Sequence, residues 1–207
     1  LRKDIEKEFK IKVKIKKKRD KGDVELINGK KYFVKHPNYE IKIHSKPLCS
    51  LLFKLGVPKG KKIYQDTFVP RWVMNGNKNI QKAFLHGLFD SELSNASIST
   101  YERHENNLSS PRMEMGKTKE LENNLRQYLQ QITILLKSFK IKSSISPIRN
   151  YREGKISLTL SISNKLSNIY HFIDKIGFYY NVPRMKRAEY IKKLALEKIK
   201  KKNALYK

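Results

Sequence analysis

The segment Phe84-Leu-His-Gly-Leu-Phe-Asp-Ser-Glu-Leu93 constrains this chain more than any other stretch, because its pattern asks for a second helix beside it. Ala83, Gly87 and Ser91 recur at a spacing of four, which lines small side chains along one helical face. Helix pairs with ordinary side chains sit about 8–10 Å apart, so a seam of small residues fits a partner at the close end of that range. Phe84, Leu85, Leu88 and Phe89 supply the apolar surface of a buried helix, and Asn79 is placed to cap its start. Asp90 and Glu92 fall at the C-terminal end, where the helix dipole disfavours negative charge by about 0.3–1 kcal/mol per group. A compensating positive charge is expected there, and a hard divalent cation held by oxygen ligands is a natural candidate.

Charge bounds the partner. The chain carries 46 lysines and arginines against 19 aspartates and glutamates, a formal charge of +27 over 207 residues. The excess is spread along the whole chain, which points to a polyanion. The one cysteine, Cys49, excludes an internal disulfide and a multi-cysteine zinc site, and fits an intracellular, cytoplasmic setting. No apolar run approaches the ~20 residues of a membrane span. The five histidines show no paired ligand spacing and there is no Walker-type phosphate loop, which argues against ATP-driven function. Leu1 is not an initiator methionine, which fits a fragment or a processed product.

Periodicity gives the element order. Residues 1 to 9 read as the end of an amphipathic helix; lysines then alternate with Ile11, Val13 and Ile15 from Lys10 to Lys16, as in a strand with one apolar and one charged face. A second strand runs from Tyr39 to His44, with an extra hairpin turning at Asn28-Gly29 between the two. Helices are expected over 47–55, 121–139, 166–176 and 184–202, and strands over 95–103, 111–117, 142–148 and 155–163, the last with Ile156, Leu158, Leu160 and Ile162 inward. Residues 80–207 thus read helix, strand, strand, helix, strand, strand, helix, and residues 1–79 contain the last four of these. A repeat supports the doubling: Phe9-Lys-Ile-Lys12 recurs as Phe139-Lys-Ile-Lys142, Ile43-His-Ser-Lys46 resembles Ile162-Ser-Asn-Lys165, and Leu55-Gly-Val57 resembles Ile176-Gly-Phe178.

The stretch from Leu85 to Leu93 resembles the LAGLIDADG motif of homing endonucleases. It keeps the first leucine, the glycine, the next leucine and both acids, with Leu93 where the motif ends in glycine. The resemblance implies an α/β saddle of pseudo-twofold αββαββα repeats, the first truncated at 1–79 with its motif helix missing, the second complete at 80–207 with a basic C-terminal helix. It implies site-specific cleavage of double-stranded DNA with Mg²⁺ or Mn²⁺ bound by Glu92, in a full-length form that works as a monomer and a fragment free to dimerise through Ala83, Gly87 and Ser91. By position in the repeat, Lys165 and Lys46 match the family's active-site lysines. Asp90 is expected to be structural, bonding near the helix end. DNA contacts are expected from Lys10, Lys12, Lys14 and Lys16, and from Tyr101, Arg103, Arg112 and Arg149. Two other readings stay open: a non-cleaving DNA- or RNA-binding protein on the same scaffold, such as a maturase or regulator, and a basic structural protein of a nucleoprotein particle. The residues Ala204-Leu-Tyr-Lys207 lack the His-Asn ending of a complete intein, so a full splicing unit is not expected.

Overall fold

A computed structural model describes residues 2–19, 22–25, 31–34, 38–98, 107–150 and 154–204. The chain is α/β with antiparallel pairing throughout, and it divides into two units, Leu1–Leu55 and Gly56–Lys207.

In the first unit, α1 (Arg2–Phe9) is followed by β1 (Lys14–Arg19), β2 (Gly22–Glu25), β3 (Lys31–Val34), β4 (Asn38–Lys42) and α2 (Lys46–Lys54). β1 pairs with β4, and β2 with β3, the extra hairpin; its turn at Asn28-Gly29 lies outside the described residues. The first strand begins at Lys14, four residues later than its alternation suggests. Lys10 adopts a left-handed φ of 53°, and the Glu6 carboxylate accepts from the Val13 amide at 3.1 Å, so residues 10–13 are spent leaving α1. Among the described residues of this unit, Val13 and Leu48 are its buried apolar side chains. Ile15 and its cross-strand partner Ile41 remain 48% and 36% exposed, so the apolar face of this ribbon is not an interior one.

The second unit contains α3 (Arg71–Met74), α4 (Lys78–Glu92), β5 (Arg112–Thr118), α5 (Glu122–Ser138), β6 (Ser143–Ile145), β7 (Arg149–Asn150), β8 (Lys155–Ile162), α6 (Leu166–Lys175) and α7 (Val182–Ala204). Of the strand expected over 95–103, Ile98 forms an isolated bridge to Leu108, and residues 99–103 lie outside the described set. β8 is the central strand, with β5 on one side and β6 and β7 on the other. Its alternation sends Ile156, Leu158, Leu160 and Ile162 into the core, as read from sequence. Against them pack Leu125, Leu129, Ile132 and Leu136 of α5, recurring every three or four residues along one face. Val69 and Val73 belong to this same core, although the repeat assigns residues 56–79 to the first half.

Lys117 is the exception to the apolar interior. It follows Met113 and Met115 on the inward side of β5 and is 1% exposed, so its amine needs partners. Nζ donates to Lys62 O and Thr67 Oγ1, each at 3.1 Å, and to Gln65 O. Asn124 of α5 accepts from the Thr67 amide at 3.0 Å and Gln131 accepts from the Val69 amide at 2.8 Å. The loop from Lys62 to Val69, which has little regular structure of its own, is thus tied down by side chains of β5 and α5. Lys117→Ala strands three acceptors and should destabilise the chain by about 2–4 kcal/mol in denaturant titrations, given about 1–3 kcal/mol for an unsatisfied buried group. Lys117→Met refills the space without restoring the donor and should recover only part of that loss.

Candidate nucleic-acid interface

α4 starts two residues earlier than read from sequence. Asn77, not Asn79, is its cap, its side chain accepting from the Asn79 and Ile80 amides at 3.0 and 3.1 Å. The buried side of the helix is Gln81, Leu85 and Phe89, the last meeting Phe172 edge-on at 6.0 Å. Ala83, Gly87 and Ser91 are all exposed, and a Cβ built on Gly87 would meet nothing within 4 Å among the described residues. These residues line one side of an open cleft of about 480 Å³, whose other walls include Phe68, Met115 and Tyr128.

The carboxyl end of α4 is held in part by protein groups. Arg184 Nη1 donates to Phe89 O at 3.1 Å and to Leu93 O, and its guanidinium lies over the Phe178 ring. The Asp90 carboxylate accepts from the amides of Tyr179 and Tyr180, the latter at 2.6 Å, as the structural role read for it requires. His86, one turn earlier, bonds through Nε2 to Ile176 O at 2.8 Å and stacks on Tyr179 at 5.3 Å. Burial pushes the His86 pKa down.

Glu92 differs from Asp90. It is exposed in the cleft and makes no hydrogen bond or ion pair among the described residues. Its charge registers on Tyr128, whose phenol is pushed up to about 12, first by burial and then by Glu92. No group of three or more histidine, cysteine, aspartate or glutamate side chains that could hold a metal occurs among the described residues. Divalent magnesium or calcium takes about six or more oxygen ligands, and Glu92 offers one carboxylate.

The outer face of the β5–β8–β6 sheet is polar. Cross-strand register sets Arg112 and Ser144 opposite Ser161, Glu114 opposite Thr159, and Arg149 opposite Ser157. Arg112 and Arg149 are both exposed and flank β8 from opposite sides, so the sheet brings these two candidates onto one surface. The serines and threonines between them were missed in the sequence, although the inward alternation of β8 already implies that its other residues share a face. Ser157 Oγ donates to Glu114 Oε1 at 2.7 Å. The segment after Glu92 joins the sheet through its backbone, Ser94 N donating to Arg112 O at 2.7 Å, and Ile162 N donates to Pro111 O at 3.0 Å. Lys165, three residues past β8, precedes α6 at that end of the sheet with an exposed side chain, while Lys46 opens α2 in the other unit. Tyr101 and Arg103 lie outside the described residues.

In the first unit the four lysines read as one strand face are divided. Lys10 and Lys12 precede β1, whereas Lys14 and Lys16 lie on it. Lys14 sits directly opposite Lys42, an arrangement of like charges that is unfavourable without an anion nearby. Lys42 pairs with Glu40 at 3.5 Å, which relieves one of the two.

No protein-family model matches the chain. It is 31% identical to the tRNA-splicing ligase RtcB of Methanocaldococcus jannaschii, over 90% of this chain and 20% of that protein. It is 26% identical to the ligase of the same name from Methanopyrus kandleri, over 87% and 17%. It is also 28% identical to the DNA-directed RNA polymerase subunit Rpo1N of Methanocaldococcus jannaschii, over 86% of this chain and 13% of that subunit. The chain thus spans about a fifth or less of the curated relatives it matches.

Tyr128 offers a readout of the cleft. Its folded pKa lies above the 10.0 of an unperturbed tyrosine, so the stability it contributes is complete below pH 10 and is lost as pH rises through about 12. A shift of two units corresponds to roughly 2–3 kcal/mol. Tyr128→Phe should flatten the alkaline loss of stability between pH 10 and 12 relative to the unmodified chain, and Glu92→Gln should flatten it in part.

Proposed function

We propose that the chain is the DNA-recognition and cleavage module of a site-specific, divalent-metal-dependent endonuclease of the LAGLIDADG kind, carried within longer proteins. The observation that carries this reading is Gly87. A glycine inside a helix costs about 1 kcal/mol relative to alanine, and here no neighbour among the described residues would exclude a side chain. Close approach of a second helix to the Ala83–Gly87–Ser91 face explains it, and that helix would bring the carboxylate that Glu92 lacks. A second copy of α4, or a motif helix elsewhere in a longer protein, would fill the role.

Two further observations support the reading. The outer sheet face offers Arg112 and Arg149 with the hydroxyls of Ser144, Thr159 and Ser161, groups suited to phosphates and base edges, beside one carboxylate, Glu114. The comparisons spread over differently named proteins, a tRNA-splicing ligase and an RNA polymerase subunit, and in each the match covers a small part. A stretch shared in this way is what a module carried within longer proteins would give, which supports the reading. The rival of a non-cleaving DNA- or RNA-binding protein on the same scaffold is favoured by Leu93, which stands where the motif ends in glycine.

Gly87→Ala separates packing from association. It should leave the isolated chain as stable or up to about 1 kcal/mol more stable, since the added methyl meets open space. It should nevertheless weaken self-association or docking of a second motif helix, read by analytical ultracentrifugation; an unchanged association constant would remove the helix-pairing premise.

Cleavage is tested in an assembled form carrying two motif helices, with Mg²⁺ or Mn²⁺ and a library of duplex targets. Glu92→Gln keeps the shape and removes the charge, so cleavage should fall at least about a hundredfold while metal-free DNA binding is kept. Lys165→Met should slow cleavage with little loss of binding. Normal binding by an assembled, unmodified form that never cuts would establish the non-cleaving rival instead.

A further inference from the structure

α7 is fastened to its unit along one side. Ala188, Ile191 and Ala195 are buried, Arg184 holds the end of α4, and Lys192 pairs with Asp174 at 2.8 Å. The opposite side is different. Lys186, Tyr190, Lys193, Glu197 and Lys200 follow one another at spacings of four and three, so they form a single exposed stripe, about 21 Å long at 1.5 Å per residue. Arg187 and Lys201 flank it, also exposed. Among the described residues, none of Lys186, Arg187, Lys193, Lys200 and Lys201 is paired with a carboxylate.

A merely solvated face balances both signs, whereas this one sets five exposed cations against two exposed acids, Glu189 and Glu197, and keeps a net positive charge. Duplex DNA presents one negative charge per ~1.7 Å of axis, so a stripe of this length faces on the order of ten phosphates. Tyr190, 59% exposed in the middle of the stripe, adds a hydroxyl that can donate to a phosphate oxygen. α7 packs on α6, whose Ile169 and Phe172 lie in the core on the inner side of the sheet. The free side of α7 and the outer side of the sheet are therefore different surfaces.

We propose that the Lys186–Tyr190–Lys193–Lys200 face of α7 is a second, sequence-independent seat for the phosphate backbone of duplex DNA, separate from the sheet face. The proposal rests on the nucleic-acid reading given above and extends it to a surface that the sheet does not use.

The test compares slopes of log affinity against log salt on random duplex DNA. One variant replaces Lys186, Lys193, Lys200 and Lys201 by glutamine, which keeps helix propensity. A second carries Arg112→Gln and Arg149→Gln on the sheet. A control replaces Lys3, Lys7, Lys54 and Lys59, exposed lysines elsewhere. Each lost phosphate contact lowers the slope by about 0.9, so the α7 variant should be shallower by roughly 2–4 and the control should scarcely move. An α7 variant with the unmodified slope, or a control that shifts equally, overturns the seat while the sheet reading stands. An unmodified chain without salt-dependent binding removes the nucleic-acid reading itself, and the seat with it. A shift seen on single-stranded RNA but absent on duplex DNA also overturns it. Independently of charge, Tyr190→Cys in a Cys49→Ser background, carrying a photo-crosslinker, should attach to duplex DNA; failure to attach where a crosslinker on the sheet face succeeds overturns the proposal.

Discussion

The carboxyl end of α4 sets the terms for the rest of the second unit. A helix that ends in two acids faces its own dipole, and its last carbonyls have no partners within the helix. Arg184 supplies both the charge and the donors, and Asp90 turns its carboxylate to backbone amides at Tyr179 and Tyr180. With those demands met by the protein, Glu92 is left exposed and uncommitted. Two acids two residues apart therefore have opposite fates, one consumed in holding the fold and the other available to chemistry.

The cleft beside Glu92 depends on polar anchoring. Its loop wall lacks the strand and helix ladders that would satisfy its backbone, and Lys117, Asn124 and Gln131 take their place. A buried ammonium is an expensive way to hold a loop, and it fixes one geometry where apolar packing would tolerate several. On the far side of the same sheet, alternation places hydroxyls and arginines where the inner side has isoleucine and leucine. The strand that builds the core thus also builds the candidate binding face.

Much of this was legible in sequence because it rests on local periodicity. The inward set of β8, the helices α5 and α6, the stop at Gly177 and the structural use of Asp90 all follow from spacing and charge near one residue. What was not legible depends on distant partners. Nothing near Arg184 announces that it caps a helix more than ninety residues earlier, and Lys117 among so many lysines carries no local sign of burial. The start of β1 was misplaced because Glu6 captures the Val13 amide across a turn, an interaction that alternation does not encode. Asn77 and Asn79 were equally good caps by residue type, and backbone geometry chose between them.

The contact from Arg184 to the end of α4 also bears on the order in which the chain can be completed. Ribosomal synthesis delivers α4 well before α7, so the carbonyl of Leu93 must wait for about ninety further residues before Arg184 can donate to it. Until α7 docks, that helix end can only fray into water, and the amides at Tyr179 and Tyr180 that receive Asp90 are not yet made. Maturation of the acidic helix end is thereby coupled to arrival of the last helix: a nascent chain can assemble its sheet while the carboxylate-bearing terminus remains unfinished.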